Sequence, residues 1–436
     1  MKNTFIGASI ERREDLRFLR GRGTYVDDLQ VPGLLYAVIL RSSVAHGRLR
    51  SIDTSGALKI EGVHAVITAK DMTSKDYPSG VPIVPMRLQP LPEFQPYEQP
   101  VIAHQKVRYV GEPIAVVLAS SVAVGEDALE QIAVEIDELP AVATWQVASE
   151  NQSVLFEATG TNRSLTFEAR KGDADAAFKE APYTRRERMR TGRHYGLTME
   201  PRGVMAEWDA TNNKLTVSGA AKVPFFNRRI LAKQIGLPES AIEMIENDVG
   251  GGYGARGEFY PEDFLIPFAA MHVNRPVKWI EDRRENLMAM NHARETEAEL
   301  EIACQRDGTI LALRGEVHTD MGAYMRTNGA VGARNAPQFV TGPYRCPHHK
   351  VDSHLWMTNK TPVGTYRGPG RFEGSFYMER LLDMVAADLG IDRVELRRRN
   401  LIGKAEHPYK LATAQPTNAH DQTDSGDYEA TLDRCL

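Results

Sequence analysis

The chain has 436 residues, 42% of them hydrophobic and 25% charged, with a formal net charge of −5. That length divides into about two to four domains, and the acidic balance argues against a nucleic-acid partner, which needs a clustered positive face. No stretch approaches the ~18 apolar residues of a membrane span, and Cys304, Cys346 and Cys435 are too few and too scattered for a disulfide framework or an iron–sulfur cluster held by this chain.

Residues 1–20 read as a polar N-terminal segment. Arg12 and Arg13 are followed by Glu14 and Asp15, where an export signal would turn apolar, so a cytoplasmic location is expected. From 21 to 140, the short apolar runs LLYAVIL, VHAVITA, EPIAVVLAS and IAVEIDEL are broken by turns and by one helix-like stretch, AVGEDALEQ. This pattern predicts a compact α/β domain. Residues 141–182 loosen into Ser, Asn, Thr and Gly and are expected to form a connector with one short helix over 173–180.

The region 183–436 opens with RRERMRTGR, expected to be a strand whose alternating charges face solvent. A hairpin turning at 209–213 follows, then a helix that begins on Pro224 and stops at Gly236. Further on, a buried helix is expected from Glu262, and a second hairpin at Asp307-Gly308. In RCPHHKVDSH an extended strand turns His348 and His349 to opposite faces, which argues against a shared zinc ion. The segment 372–390 predicts a helix burying Phe372, Phe376, Leu381, Leu382, Val385 and Leu389 and ending at Gly390. Asp392 and Glu395 then form a capping-box pair, with Ile391 and Leu396 as its hydrophobic staple. Tyr428, Leu432 and Leu436 make a final apolar stripe with no stop signal, for which a partner chain or further sequence is the expected cover.

The run DVGGGYGARGEF, 248–259, sets Gly252, Gly254 and Gly257 in the register G-x-G-x-x-G. A nicotinamide or flavin site needs an apolar strand before these glycines and a helix opening on the third. Here Glu243, Glu246, Asn247 and Asp248 interrupt the strand, and Pro261 delays the helix. Glu281 and Asp282 would serve only loosely as the ribose carboxylate. Side-chain-free backbone with exposed amides instead suits an anionic or bulky planar cofactor that must approach the main chain.

GGGYGARGEFYPEDF, HYGLTMEPRGV, the segment from TPVGTYRGPGR to LRRRNLI, GRGTYVDDLQVPGLLYAVILRSSVAHGRL and VRYVGEPIAVVLA together resemble, in order and over the whole chain, the molybdopterin-binding subunit of the xanthine dehydrogenase and aldehyde oxidase family of molybdenum hydroxylases. The resemblance implies an α+β fold. A small N-terminal hammerhead-like α/β domain at 21–140 precedes the first part of the molybdenum-cofactor domain at 183–436. It also implies a molybdenum–molybdopterin cofactor, in a dinucleotide form, and water-dependent hydroxylation of an aldehyde or N-heteroaromatic substrate. Iron–sulfur and FAD subunits are the implied partners in electron transfer.

By the same resemblance, Gly252, Tyr253 and Gly254 lie beside the cofactor, with no direct protein ligand to the metal, and Arg367 in YRGPGR is the active-site arginine that binds or orients substrate. His194 stands where many members carry a glutamine that hydrogen-bonds the metal's oxo group. A variable carboxylate position falls on Gly257, which makes Glu258, one step on, the second catalytic candidate. Gly368 replaces the cysteine of carbon monoxide dehydrogenases and argues against that substrate. The family's general-base glutamate, in a G-V-G-E-like motif near the subunit's end, has no counterpart here, so the chain resembles the N-terminal half of the subunit. A C-terminal half supplied by a second chain is expected, ahead of truncation. A non-catalytic assembly half and an NAD-dependent dehydrogenase stand as alternative readings.

Overall fold

The run PIAVVLA forms the strand Pro113–Ala119, buried along its whole length. Continuous burial of this kind requires a strand with neighbours on both edges and layers over both faces. In the computed structural model, which describes residues 5–436 apart from 74, 78, 88, 89, 220, 221, 419 and 420, it lies within a seven-stranded sheet. The order across that sheet is Ile242–Glu246, Lys214–Gly219, Gly203–Asp209, Val277–Ile280, Leu35–Arg41, Pro113–Ala119 and Val63–Ile67. The parallel pairing of Leu35 with Val277 and Tyr36 with Lys278 joins strands from the two regions that the sequence separates at 140 and 183.

A second, six-stranded sheet runs Tyr183–Thr191, Thr296–Cys304, Ile310–Gly322, His348–Met357, Arg163–Lys171 and Thr413–Gln415. Arg163–Lys171 lies in the stretch expected to be a connector. That expectation is corrected, because the strand is flanked on both sides and buries Phe167 and Ala169. The polar residues ahead of it mask its alternating pattern. In Tyr183–Thr191, Arg186, Arg188 and Arg190 point outward, with Arg186 3.2 Å from Glu299 on the neighbouring strand, while Arg185 faces the other side and meets Asp388 at 2.9 Å.

The other face of this sheet packs against the helix Arg371–Leu389 through Leu381, Leu382 and Val385. Phe372 and Phe376 are not on that face; at 100° per residue they point away from it, and they stay 43% and 41% exposed. Gly390 ends the helix in the left-handed conformation, as expected. Asp392 caps the next helix through the amides of Val394 and Glu395, while the Glu395 carboxylate lies 3.5 Å from Arg399. The C-terminal stripe is covered in part within the chain. Tyr428 and Leu432, on the helix Tyr428–Cys435, pack against the core of this sheet, and only Leu436 projects outward.

The helix Pro261–Val273 begins on proline, with Asp263 accepting the Tyr260 amide at 2.7 Å. Burial is the main cause that pushes the Asp263 carboxyl up to about 7; the Tyr260 hydrogen bond and Arg202 oppose it and Glu262 adds to it. A raised carboxyl binds its proton more tightly in the folded state. It therefore opposes folding progressively as pH climbs from the unfolded value to about 7, and by a constant amount above that. An Asp263→Asn variant keeps the amide's acceptor and is expected to be more stable than the parent at pH 8, by up to about 4 kcal/mol. Melting curves from pH 4 to 8 should show the two proteins converging at the acid end. A constant offset would contradict the assignment.

Candidate functional site

The glycine loop leaves the edge strand Ile242–Glu246 and is anchored at Asp248. Arg17 clamps that carboxylate through both terminal nitrogens, the Thr24 amide donates to it at 2.7 Å, and the Arg17 hydrogen bond is the main cause that holds Asp248 down at about 2. One turn later the Gly250 amide donates to Glu200 Oε2 at 2.7 Å, and Gly250 returns its carbonyl to the Glu200 amide at 3.1 Å. Between these anchors and the short 3-10 turn Ala255–Gly257, Gly251, Tyr253 and Gly254 take left-handed backbone angles, φ 109°, 50° and 97°. Tyr253 pays for this geometry with strain that a glycine avoids. At Gly254 a Cβ would also meet the Thr365 carbonyl oxygen at 3.4 Å.

A second loop, carrying YRGPGR, is laced to the first. The Arg367 amide donates to the Tyr253 carbonyl at 2.8 Å, and the Thr365 hydroxyl donates to the Gly254 carbonyl at 3.0 Å. Glu258, fully buried, accepts the Thr365 amide at 3.1 Å and its hydroxyl at 3.2 Å on one oxygen, and the Asn328 amide at 2.9 Å on the other. Burial pushes the Glu258 carboxyl up, and these hydrogen bonds oppose the shift. The sequence makes Glu258 a catalytic candidate, and in the structure its carboxylate is engaged in joining three segments.

His194 comes in from a third direction. The strand His194–Tyr195 pairs with His292–Ala293, whose His292 carbonyl accepts the Gly364 amide at 2.9 Å. The His194 ring stands edge-on to Phe372 at 6.0 Å, and its Nδ1 lies 2.8 Å from the Gly192 carbonyl. Because Nδ1 must be the donor in that contact, Nε2 of the neutral ring accepts a hydrogen bond, and it donates one only when the ring carries both protons. The structure thus brings Gly252, Tyr253, Gly254, Glu258 and Arg367 into one hydrogen-bonded cluster and places His194 beside it. Sequence reasoning missed Thr365, Asn328, Glu200 and Arg17, which hold the cluster in shape. None of them stands out by spacing.

Two features of the cluster are unusual. No described residue accepts from the amides of Gly251, Gly252, Tyr253 or Gly254, so four successive N–H groups lie open at the loop. The exposed Arg367 guanidinium, which starts from the same point, has no hydrogen-bond or ion-pair partner among the described residues. Successive free amides beside an unpaired cation form a site for an anionic group, and the absence of side chains at the glycines lets a planar one approach closely. The donor set therefore fits a pterin–phosphate cofactor. It fits a dinucleotide of the nicotinamide type poorly: the helix starts at Pro261, well past the third glycine, and Glu281 is buried against Arg202 and Asn286. Asp282 is taken up in capping the helix Arg283–Ala289.

Residues 155–401 match the molybdopterin cofactor-binding domain, and residues 20–140 match the aldehyde oxidase and xanthine dehydrogenase a/b hammerhead domain. The chain is 37% identical to the 6-hydroxypseudooxynicotine dehydrogenase complex subunit gamma of Paenarthrobacter nicotinovorans, over 94% of this chain and 51% of that one. It is 34% identical to the nicotine 6-hydroxylase large subunit of the same organism, over 91% of this chain and 48% of the relative. Quinoline 2-oxidoreductase from Pseudomonas putida 86 superimposes with a TM-score of 0.89 at 34% identity, covering 98% of this chain and 53% of that one. The chain spans about half the length of these relatives.

Proposed function

The chain belongs to the molybdopterin-binding large subunits of the xanthine dehydrogenase and aldehyde oxidase family, and from that premise we propose that it supplies one half of a molybdenum hydroxylase centre. Its substrate in this reading is an N-heteroaromatic ring, ahead of an aldehyde, because the similar proteins are named for nicotine and quinoline. Carbon monoxide is disfavoured by Gly368. The observation that carries the reading is the row of four open amides at 251–254 beside the unpaired Arg367.

When bound, the molybdenum–molybdopterin group, in a dinucleotide form, supplies a two-electron acceptor and a centre at which water is activated. The residues of this chain hold and orient. Gly252, Tyr253 and Gly254 offer main-chain donors to the cofactor. Arg367 presents a planar fork of N–H groups to a ring nitrogen or oxygen and stabilises negative charge that develops there. His194 adds a hydrogen-bonding group whose direction depends on its protonation. Glu258 acts as a positioning residue: by holding Thr365 and Asn328 it sets the distance between the two loops.

The general base lies outside these residues, on a second chain or on a continuation of this polypeptide. The surface it would accompany is marked by Leu197, Met199, Tyr253, Phe372 and Phe376, large apolar side chains left exposed around the two loops; an apolar rim of this kind belongs to an interface. Iron–sulfur and FAD subunits complete the proposed electron path.

The test is metal and pterin analysis of the complex purified through this chain, co-expressed with its neighbouring reading frames in a host that makes the cofactor. We expect stoichiometric molybdenum and pterin, and oxygen from labelled water in hydroxylated quinoline or nicotine. A fully matured complex without molybdenum would leave the non-catalytic assembly half as the better reading. Tight NAD binding by the chain alone would favour the dehydrogenase.

A further inference from the structure

We propose that Arg294 is a positioning residue that fixes the direction of Arg367, with Glu373 as its charge partner across a small cavity bridged by water. The inference rests on the role given to Arg367 above. Its structural content does not depend on that role.

Arg294 follows the strand His292–Ala293 and has a left-handed backbone, φ 68°. A long side chain rarely adopts that conformation unless its surroundings impose it. Its Nη2 donates to the Arg367 carbonyl and reaches the Tyr366 carbonyl at 3.4 Å. The guanidinium lies over the Phe372 ring at 4.0 Å and the Tyr366 ring at 4.5 Å. One side chain therefore touches the residue before Arg367, Arg367 itself, and the first turn of the helix that follows. On the opposite side the Arg367 amide is held by Tyr253. The backbone at Arg367 is thus pinned at both its N–H and its C=O, and this pinning decides where its side chain points.

The far side of Arg294 faces a cavity of about 20 Å³, room for about one water, lined also by Thr319, Gly332, Gly364, Tyr366 and Glu373. Three buried polar atoms in this neighbourhood have no partner: Arg294 Nε, Thr319 Oγ1 and Glu373 Oε2. Glu373 and Thr319 are themselves buried. A guanidinium N–H, a hydroxyl and a carboxylate oxygen form the donor and acceptor set that a single buried water satisfies. Asp320 also lines the cavity, but Arg193 and Lys360 already engage it, which leaves Glu373 to balance the charge of Arg294.

Two measurements test the inference. Hydrogen exchange on the full chain, without cofactor, compares the parent with Arg294→Met, which keeps an apolar side chain over Phe372 but has no donors. Exchange at 364–371 is expected to rise about tenfold or more while the strand Thr296–Cys304 stays unchanged. Glu373→Gln, which keeps the shape and removes the charge, should give a smaller rise in the same segment. Unchanged exchange at 364–371 in both variants overturns the proposal. In the loaded complex, Arg294→Met and Arg367→Lys are combined on kcat/KM. If Arg294 acts through Arg367, the double variant is no worse than Arg367→Lys alone; independent, multiplying losses overturn it. An inactive complex would count against the proposed function, and the exchange result would still decide the role of Arg294.

Discussion

An Arg202→Met variant is expected to lose about 3–5 kcal/mol of folding stability. Arg202 is buried, donates to Glu262 at 2.9 Å and to Glu281 at 3.1 Å, and lies over the Tyr260 ring at 4.1 Å. Glu262 also meets Arg41 at 2.6 Å, and Arg41 meets Glu285 at 2.7 Å. The cluster therefore sets two arginines against three glutamates, with little exposure of any of them. Losing Arg202 leaves three carboxylates to Arg41 alone, and uncompensated buried charge is among the costliest defects a fold can carry.

Burial would raise Glu262, but Arg202 and Arg41 together hold it down at about 2. A lowered carboxyl of this kind contributes stability above its unfolded value, and that contribution is lost as pH falls towards 2. Chemical denaturation at neutral pH measures the loss in the variant. An Arg202→Met, Glu281→Met double variant should recover part of it, because it removes one of the stranded carboxylates. A single-variant loss below about 1 kcal/mol would show that the cluster is not a stability element.

These charges also explain which parts of the fold were legible in the sequence. The hairpins at 209–213 and 307–308, the helix from Pro224 to Gly236 and the stop at Gly390 could be read because each depends on residues within one turn of each other. The parallel pair of Leu35 with Val277 could not, since its register is set by a crossover that leaves no local trace. The orientation of Phe372 and Phe376 follows only when the helix is turned at 100° per residue, which grouping apolar residues along the segment leaves out. Within the site, the glycine loop and YRGPGR were visible as motifs. Thr365, Asn328 and Arg294, which brace these loops, act through contacts between segments distant in sequence, and no spacing rule marks such residues.

Arg367→Ala is expected to lower kcat/KM of the loaded complex by about 10²–10³, the cost of removing one preorganised charge donor from a developing negative charge. Arg367→Lys should recover little of this, because an ammonium lacks the planar fork that can hold a ring in one orientation. Neither change should alter stability by more than about 0.5 kcal/mol, because the guanidinium is exposed and has no partner to lose among the described residues. The pairing of these two expectations discriminates. A structural arginine loses stability and activity together, as Arg202 would, whereas a substrate-directed one loses activity alone. The measurement is steady-state kinetics beside melting curves on the same preparations, with molybdenum content checked to be equal to the parent's. If the variants fall in activity only in proportion to lost molybdenum, Arg367 holds the cofactor and does not orient substrate. If they retain near-parent kcat/KM with full metal, its side chain is free in the complex as well, and the substrate must be held by groups other than Arg367.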